Sequence, residues 1–236
     1  VILVADISER LNALSLGLRE RLNAEHPAHV VVKEDSALHR EIAKAFDIAA
    51  DVRQAASLLS IDVPLSIPSG AEYLADYATT IGDTIALPRK MHAPAAAFER
   101  LLVEPHEWQH VAQHRHGVNA GWWPKAVSHS VLYLAGVVAH TADGSEYVGK
   151  VEADGYAVTE TMRMFLTGRV RPLEEITSSL TRHYNLVTGG STTAAGLLRS
   201  HYRALETGDV PNVWAARVAH EYLSEHAADL RGQVSP

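Results

Sequence analysis

Leu11, Leu14, Leu18 and Leu22 recur at three- and four-residue steps with charged positions between them, a spacing that predicts an amphipathic helix over residues 8–24. His29-Val30-Val31-Val32-Lys33 is a β-branched run of strand length. From Ser36 a second helical pattern puts Leu38, Ile42, Ala45, Phe46 and Ile48 on one side and runs towards Leu59, with a break expected near Ala50. Pro64, Pro68 and Gly70 mark an irregular connection. Residues 79–88 read as two short strands around a Gly82-Asp83 turn. Phe98, Leu101, Leu102 and Val103 predict a buried helix or its end, and Pro105 is expected at the start of the next helix, over residues 106–113. Gly117 and Gly121-Trp122-Trp123-Pro124 end that pattern, and residues 128–140 read as a further buried helix. After a loop at 141–144, Ser145 is expected to cap a long helix reaching about Leu166. Gly189-Gly190 and the Gly-Asp-Val-Pro stretch at 208–211 separate the remaining helices. The expected class is therefore mainly α (α+β), with one small antiparallel β element around residues 77–87.

Composition narrows the partners. The chain has 236 residues, 47% of them hydrophobic, enough for one sizeable core, and no linker forces a division, so residues 1–236 are expected to form a single domain. A net charge of −7 and a pI near 6.0 argue against a nucleic-acid partner. The longest apolar run, residues 131–139, is too short for a membrane span. The first residues, Val1-Ile2-Leu3-Val4, follow no basic segment, so no convincing signal peptide is recognised and a soluble chain is expected. The absence of cysteine removes thiolates from any metal site and leaves histidine and carboxylate ligands.

The chemistry concentrates in Glu104-Pro105-His106-Glu107-Trp108-Gln109-His110-Val111-Ala112-Gln113. Four residues advance about 400° on a helix, so His106 and His110 share a face about one turn apart. Both imidazoles can then bind one Zn²⁺, with Glu107 beside the open position as general base, in the H-E-x-x-H pattern of zinc peptidases. Two histidines hold zinc poorly, and a catalytic site needs a third protein ligand. His116 has the spacing of the extended H-E-x-x-H-x-x-G-x-x-H pattern, but Gln113 stands where that pattern has the turning glycine. Glu152, in Val151-Glu152-Ala153-Asp154, is the other candidate: it lies in a helix flanked by apolar residues, where buried carboxylates need partners.

The order of Thr-Ile-Gly-Asp-Thr-Ile, then His-Glu-Trp-Gln-His-Val-Ala-Gln, then Glu-Ala-Asp-Gly-Tyr-Ala resembles small bacterial and phage gluzincin-type zinc metallopeptidase domains. The resemblance covers about residues 75–165 and implies a zincin-like core with helical extensions at both ends. It implies His106 and His110 as zinc ligands, Glu107 as general base and a glutamate of the second helix, here Glu152, as third ligand. Many relatives carry a glutamate four residues before the aspartate, where this chain has Lys150.

The expected activity is hydrolysis of a peptide or protein substrate, held along the strand before the motif helix unless that hairpin is merely structural. Tyr156, His129 and Tyr184 are open candidates for oxyanion donor. Gln113 and Asp154 are expected to orient ligands, Trp108, Trp122 and Trp123 to line core or pocket, and His114 to lie at the surface or behind the ligands. The alternative is a helical structural or binding protein, for example a particle component, with a vestigial or structural metal site. The sequence does not specify an oligomeric state.

Overall fold

The computed structural model describes residues 4–58, 68–116, 142–184, 186 and 188–234. In chain order the elements are α1 (Val4–Glu25), β1 (His29–Val32), α2 (Ala37–Leu58), α3 (Gly70–Asp76), β2 (Thr79–Ile81), β3 (Thr84–Leu87), α4 (Ala97–His116), α5 (Ala142–Thr167), α6 (Leu173–His183), α7 (Thr188–Glu206) and α8 (Trp214–His226). The protein is mainly helical with a small mixed sheet, in strand order β1-β3-β2. The expected antiparallel element is the β2–β3 hairpin, and β1 joins it in parallel through β3. Among the described residues no helix is long and apolar enough to cross a membrane.

Gly82 takes φ +64°, the positive value that the first central position of a two-residue hairpin turn requires. The turn fixes the register. Ile81 opposes Thr84, Thr80 opposes Ile85 and Thr79 opposes Ala86. On the other side of β3, His29 N donates to Asp83 O at 2.8 Å. Alternation then directs Ile85 towards β1, so its opposite number, Thr80, points its own backbone N–H and C=O away from β3.

Two apolar clusters meet on α5. The larger contains Leu11, Leu14, Leu18 and Leu22 of α1, as the leucine spacing predicts, with Leu101, Trp108 and Val111 of α4, Met162 of α5 and Leu223 of α8. The smaller joins Val148 and Ala153 of α5 to Ile176, Leu180, Leu198 and Tyr202 of α6 and α7. A helix buried on both sides has little solvent face, so polar groups along α5 must find partners inside. α5 and α7 cross with their main chains nearly touching: a Cβ on Gly149 would stand 2.5 Å from Gly190 O.

Several local expectations are corrected. The helix carrying the motif does not begin at Pro105; α4 starts at Ala97 and runs through the proline. A proline inside a helix costs about 3 kcal/mol, yet Leu101, Leu102, Pro105, Trp108, Val111 and Ala112 are all buried, and packing outweighs that penalty. α2 continues past Ala50 to Leu58, and its buried face is turned from the expected one. His39 and Ala43 face inward with Ile42 and Phe46, while Leu38 and Ile48 are exposed. The turn follows Tyr73 of α3, whose hydroxyl meets His39 Nδ1 at 2.7 Å and whose ring lies 4.8 Å from Phe46. Ser145 is a buried residue inside α5, which begins at Ala142, and Gly190 lies within α7, opposite Ser145. The helix expected over residues 128–140, together with Trp122, Trp123 and His129, lies outside the described residues.

Lys33, directly after β1, is fully buried. Its ammonium donates to Tyr77 O at 2.9 Å and Thr79 Oγ1 at 2.7 Å and sits 3.5 Å from the centre of the Tyr73 ring. It thus ties Tyr77, at the end of α3, and Thr79, the first residue of β2. Burial pushes its pKa from 10.5 down to about 7, against the opposing pull of Glu107 and Glu34. Between pH 7 and 10.5 the unfolded chain then binds more protons than the folded one, so this group makes unfolding free energy rise with pH, by up to about 1.4 kcal/mol per unit. Chemical denaturation of the wild type and Lys33→Met from pH 6 to 10 checks this. The stability difference between them should shift towards the wild type as pH rises, and a flat difference would mean that Lys33 is charged throughout.

Candidate metal centre

α4 and α5 pack across one another and bring three side chains together. His106 and His110 lie on one face of α4 with ring centroids 4.8 Å apart. Glu152, fully buried on α5, reaches His106 Nε2 with Oε2 at 3.7 Å and His110 Nε2 with Oε1 at 3.6 Å. The donor atoms of all three lie within 4.8 Å of one another, and this group could hold a metal ion. Ligand atoms about a tetrahedral ion with bonds of 2.0–2.1 Å are about 3.4 Å apart, close to the two histidine–glutamate distances.

The outer nitrogens of both rings are committed elsewhere. Gln113 Nε2 donates to Val151 O at 3.2 Å and Asp154 Oδ2 at 3.3 Å, which turns its oxygen towards His110 Nδ1 at 2.8 Å. Nδ1 must therefore carry the proton. His106 Nδ1 meets Thr159 Oγ1 at 3.1 Å, and that hydroxyl has main-chain oxygens of Leu102 and Gly155 at 3.3 and 3.4 Å to donate to. His106 Nδ1 is thus a donor as well. Two neutral rings in these tautomers aim Nε2 lone pairs at the Glu152 carboxylate, and such a group is stable only with positive charge within it. A metal ion supplies that charge, and so would protons on the rings. Burial pulls the His106 pKa down, but Glu152 and Glu107 outweigh it and hold the ring above its ordinary value. The residues therefore fit a divalent cation. Two imidazoles and a carboxylate suit several such ions, zinc among them.

Glu107 is buried next to the group, where Thr80 Oγ1 donates to its Oε2 at 2.7 Å. The hairpin thus touches the motif helix through the motif's own glutamate. The two intervening residues tie α4 to the rest of the chain. Trp108 Nε1 donates to His26 O at 3.0 Å, and Gln109 Oε1 accepts from Ala215 N at 3.2 Å, satisfying an N–H of the first turn of α8. The terminal helices therefore help to build the site.

Among the remaining candidates, His116 is exposed at the end of α4, its ring 5.3 Å from His26 and outside the group of three, because the helix does not turn at Gln113. His114 is half-buried in the last turn of the same helix. Tyr156 lies beside the site, its ring 5.3 Å from His106. Burial, then the Glu152 charge, raises its pKa to about 12, against Arg171 and a hydrogen bond to Ser179. Its hydroxyl is thus directed to α6. Tyr184 packs against the smaller core at the end of α6. Asp154 meets Gln113 and also His201 Nε2 of α7, at 3.3 Å, so it acts on His110 through the amide.

Thr80, Thr159, His201 and Gly155 were not visible as site residues in the sequence. A signal for Thr159 and Gly155 exists: residues 155, 156 and 159 follow Glu152 at helical spacing and so share one face of the helix with it. Gly155 has a steric reason. A Cβ there would stand 2.6 Å from His106 Nε2 and 2.7 Å from Cε1, so only glycine leaves the ring its place. Gly155→Ala, although about 1 kcal/mol better as a helix former, should displace the imidazole and weaken zinc binding about 10- to 100-fold. Competition titration with a chromophoric chelator, beside a circular dichroism spectrum, measures this, and unchanged affinity would show that the ring has other room.

No protein-family model matches the chain, nor does any curated protein or solved structure.

Proposed function

We propose that the protein is a zinc-dependent metallopeptidase of gluzincin type, with His106, His110 and Glu152 as ligands and Glu107 as general base. The observation that carries this reading is the meeting of a two-histidine, one-glutamate group with a second buried glutamate, Glu107, on the same helix. A structural zinc is usually closed by four protein ligands, whereas three, the number that converge among the described residues, leave a position for water or substrate. The same three donors alone would also suit other divalent ions, including Fe²⁺. Glu107 tips the balance to hydrolysis, which needs a base near the open position.

A zinc ion held there would lower the pKa of water to about 7 and polarise a carbonyl. Glu107 accepts the proton of the attacking water and delivers it to the leaving amine. Thr80 keeps the carboxylate aimed by its hydrogen bond at 2.7 Å. The outward backbone groups of Thr80 offer an extended peptide a ladder beside that base, the mode in which a strand is added to a sheet edge. Thr159 and Gln113 hold the two rings at their outer nitrogens.

The test is to load the full chain with zinc and incubate it with a proteome-derived peptide mixture read by mass spectrometry. New termini that appear with zinc and vanish with chelator support the reading. Stoichiometric zinc without cleavage selects the structural or binding alternative.

A further inference from the structure

Resting on that reading, a second cluster beside the site identifies the class of substrate. Glu160, one turn beyond Tyr156 on α5, is fully buried. Its Oε2 accepts from Arg171 N at 2.8 Å and its Oε1 from Arg171 Nε at 2.8 Å, with Arg163 Nε 3.7 Å away. Tyr202 OH donates to Arg171 O at 2.7 Å. Arg171 is thus held at its N–H, its C=O and its Nε, all in the connection between α5 and α6.

What this anchoring leaves over is the fork of the guanidinium. Among the described residues neither Nη of Arg171 has a hydrogen-bond partner, and the side chain is partly open to solvent, at 28%. The guanidinium carbon lies 5.6 Å from the centre of the Tyr156 ring, and that ring lies 5.3 Å from His106. One carboxylate, Glu160, faces two arginines, Arg163 and Arg171. The remaining N–H groups of Arg171 form the planar pair that binds a carboxylate in two-pronged fashion.

We propose that Arg171 is a specificity-determining residue that binds a carboxylate of the substrate near the scissile bond, so that the preferred substrates are peptides cut close to a free C-terminus or to an acidic side chain. Glu160 holds the guanidinium at Nε and Tyr202 holds the Arg171 main chain, so little side-chain entropy is lost when the anion docks.

The experiment uses zinc-loaded full chain and three short peptidyl hydroxamates whose hydroxamate binds the metal. One ends in a free α-carboxylate, one is its amide, and one is the amide with an aspartate side chain in place of the terminal carboxylate. One of the two acidic probes should bind about 10- to 100-fold more tightly than the plain amide, and which one tells a C-terminal from an internal carboxylate. The preference should vanish in Arg171→Met and return in part in Arg171→Lys. Because Arg171→Met strips Glu160 of its main partner, the double variant Glu160→Gln, Arg171→Met supplies the same test without a buried unpaired charge. Equal binding of all three probes by the wild type, or a preference that survives in these variants, overturns the role of Arg171 and leaves the metal site standing. Failure of every hydroxamate to bind zinc-loaded protein overturns the metallopeptidase reading and this inference together.

Discussion

Glu107→Gln should bind zinc as the wild type does and lose peptide hydrolysis by about 10²- to 10⁴-fold, the usual worth of a positioned general base. The two halves of this result come from different atoms. The group that could hold the metal is His106, His110 and Glu152, and Glu107 is not among those three. The amide has nearly the shape of the carboxylate, and its oxygen can still accept the Thr80 hydroxyl now 2.7 Å from Oε2. What it cannot do is take a proton from water at neutral pH. Zinc content by mass spectrometry and cleavage of the same peptide mixture, on the same preparation, measure both halves. Hydrolysis that persists in Glu107→Gln would assign the base elsewhere, and zinc lost in it would make Glu107 a ligand.

Glu152→Ala should weaken zinc binding by more than about 100-fold, beyond the 10- to 100-fold typical of residues that only orient a ligand, while His116→Ala should leave it unchanged. The contrast follows from helix geometry. α4 stays helical through Gln113 to His116, so His116 ends exposed beside His26, and the third donor comes from α5. Removing Glu152 also takes away the negative charge that two inward-facing imidazoles meet at 3.6 and 3.7 Å. Competition titrations of the two variants side by side give the answer. Loss of zinc in His116→Ala with retention in Glu152→Ala would require the chain to turn at Gln113 and would overturn the ligand set.

Much of the helical content was legible because it rests on local periodicity. The leucines of α1 are buried as their spacing predicts, and the Gly82-Asp83 turn marks the hairpin because a positive φ favours glycine. The convergence of His106 and His110 follows from four residues on one helix. Longer-range features were less legible. The pairing of β1 with β3 joins residues more than 50 positions apart, which no local pattern encodes. The start of α4 is not legible, because Pro105 favours a helix beginning, whereas burial on both sides of the proline keeps the helix going. The inward face of α2 is not legible from polarity, because His39 is polar in sequence and the hydroxyl of Tyr73 provides it with a partner inside. Thr80 and Arg171 stayed hidden for the same reason. Thr80 meets Glu107, 27 positions further along the chain, and Arg171 meets Glu160 where the connection after α5 folds back on that helix.

The claim beneath all of this is that His106, His110 and Glu152 hold a metal ion. It is tested most directly by the zinc content of the full chain after loading and gel filtration, wild type against His106→Ala. The account predicts one zinc per chain in the wild type and none retained in the variant. A wild-type chain that leaves the column without zinc, or a variant that keeps a full equivalent, would contradict it.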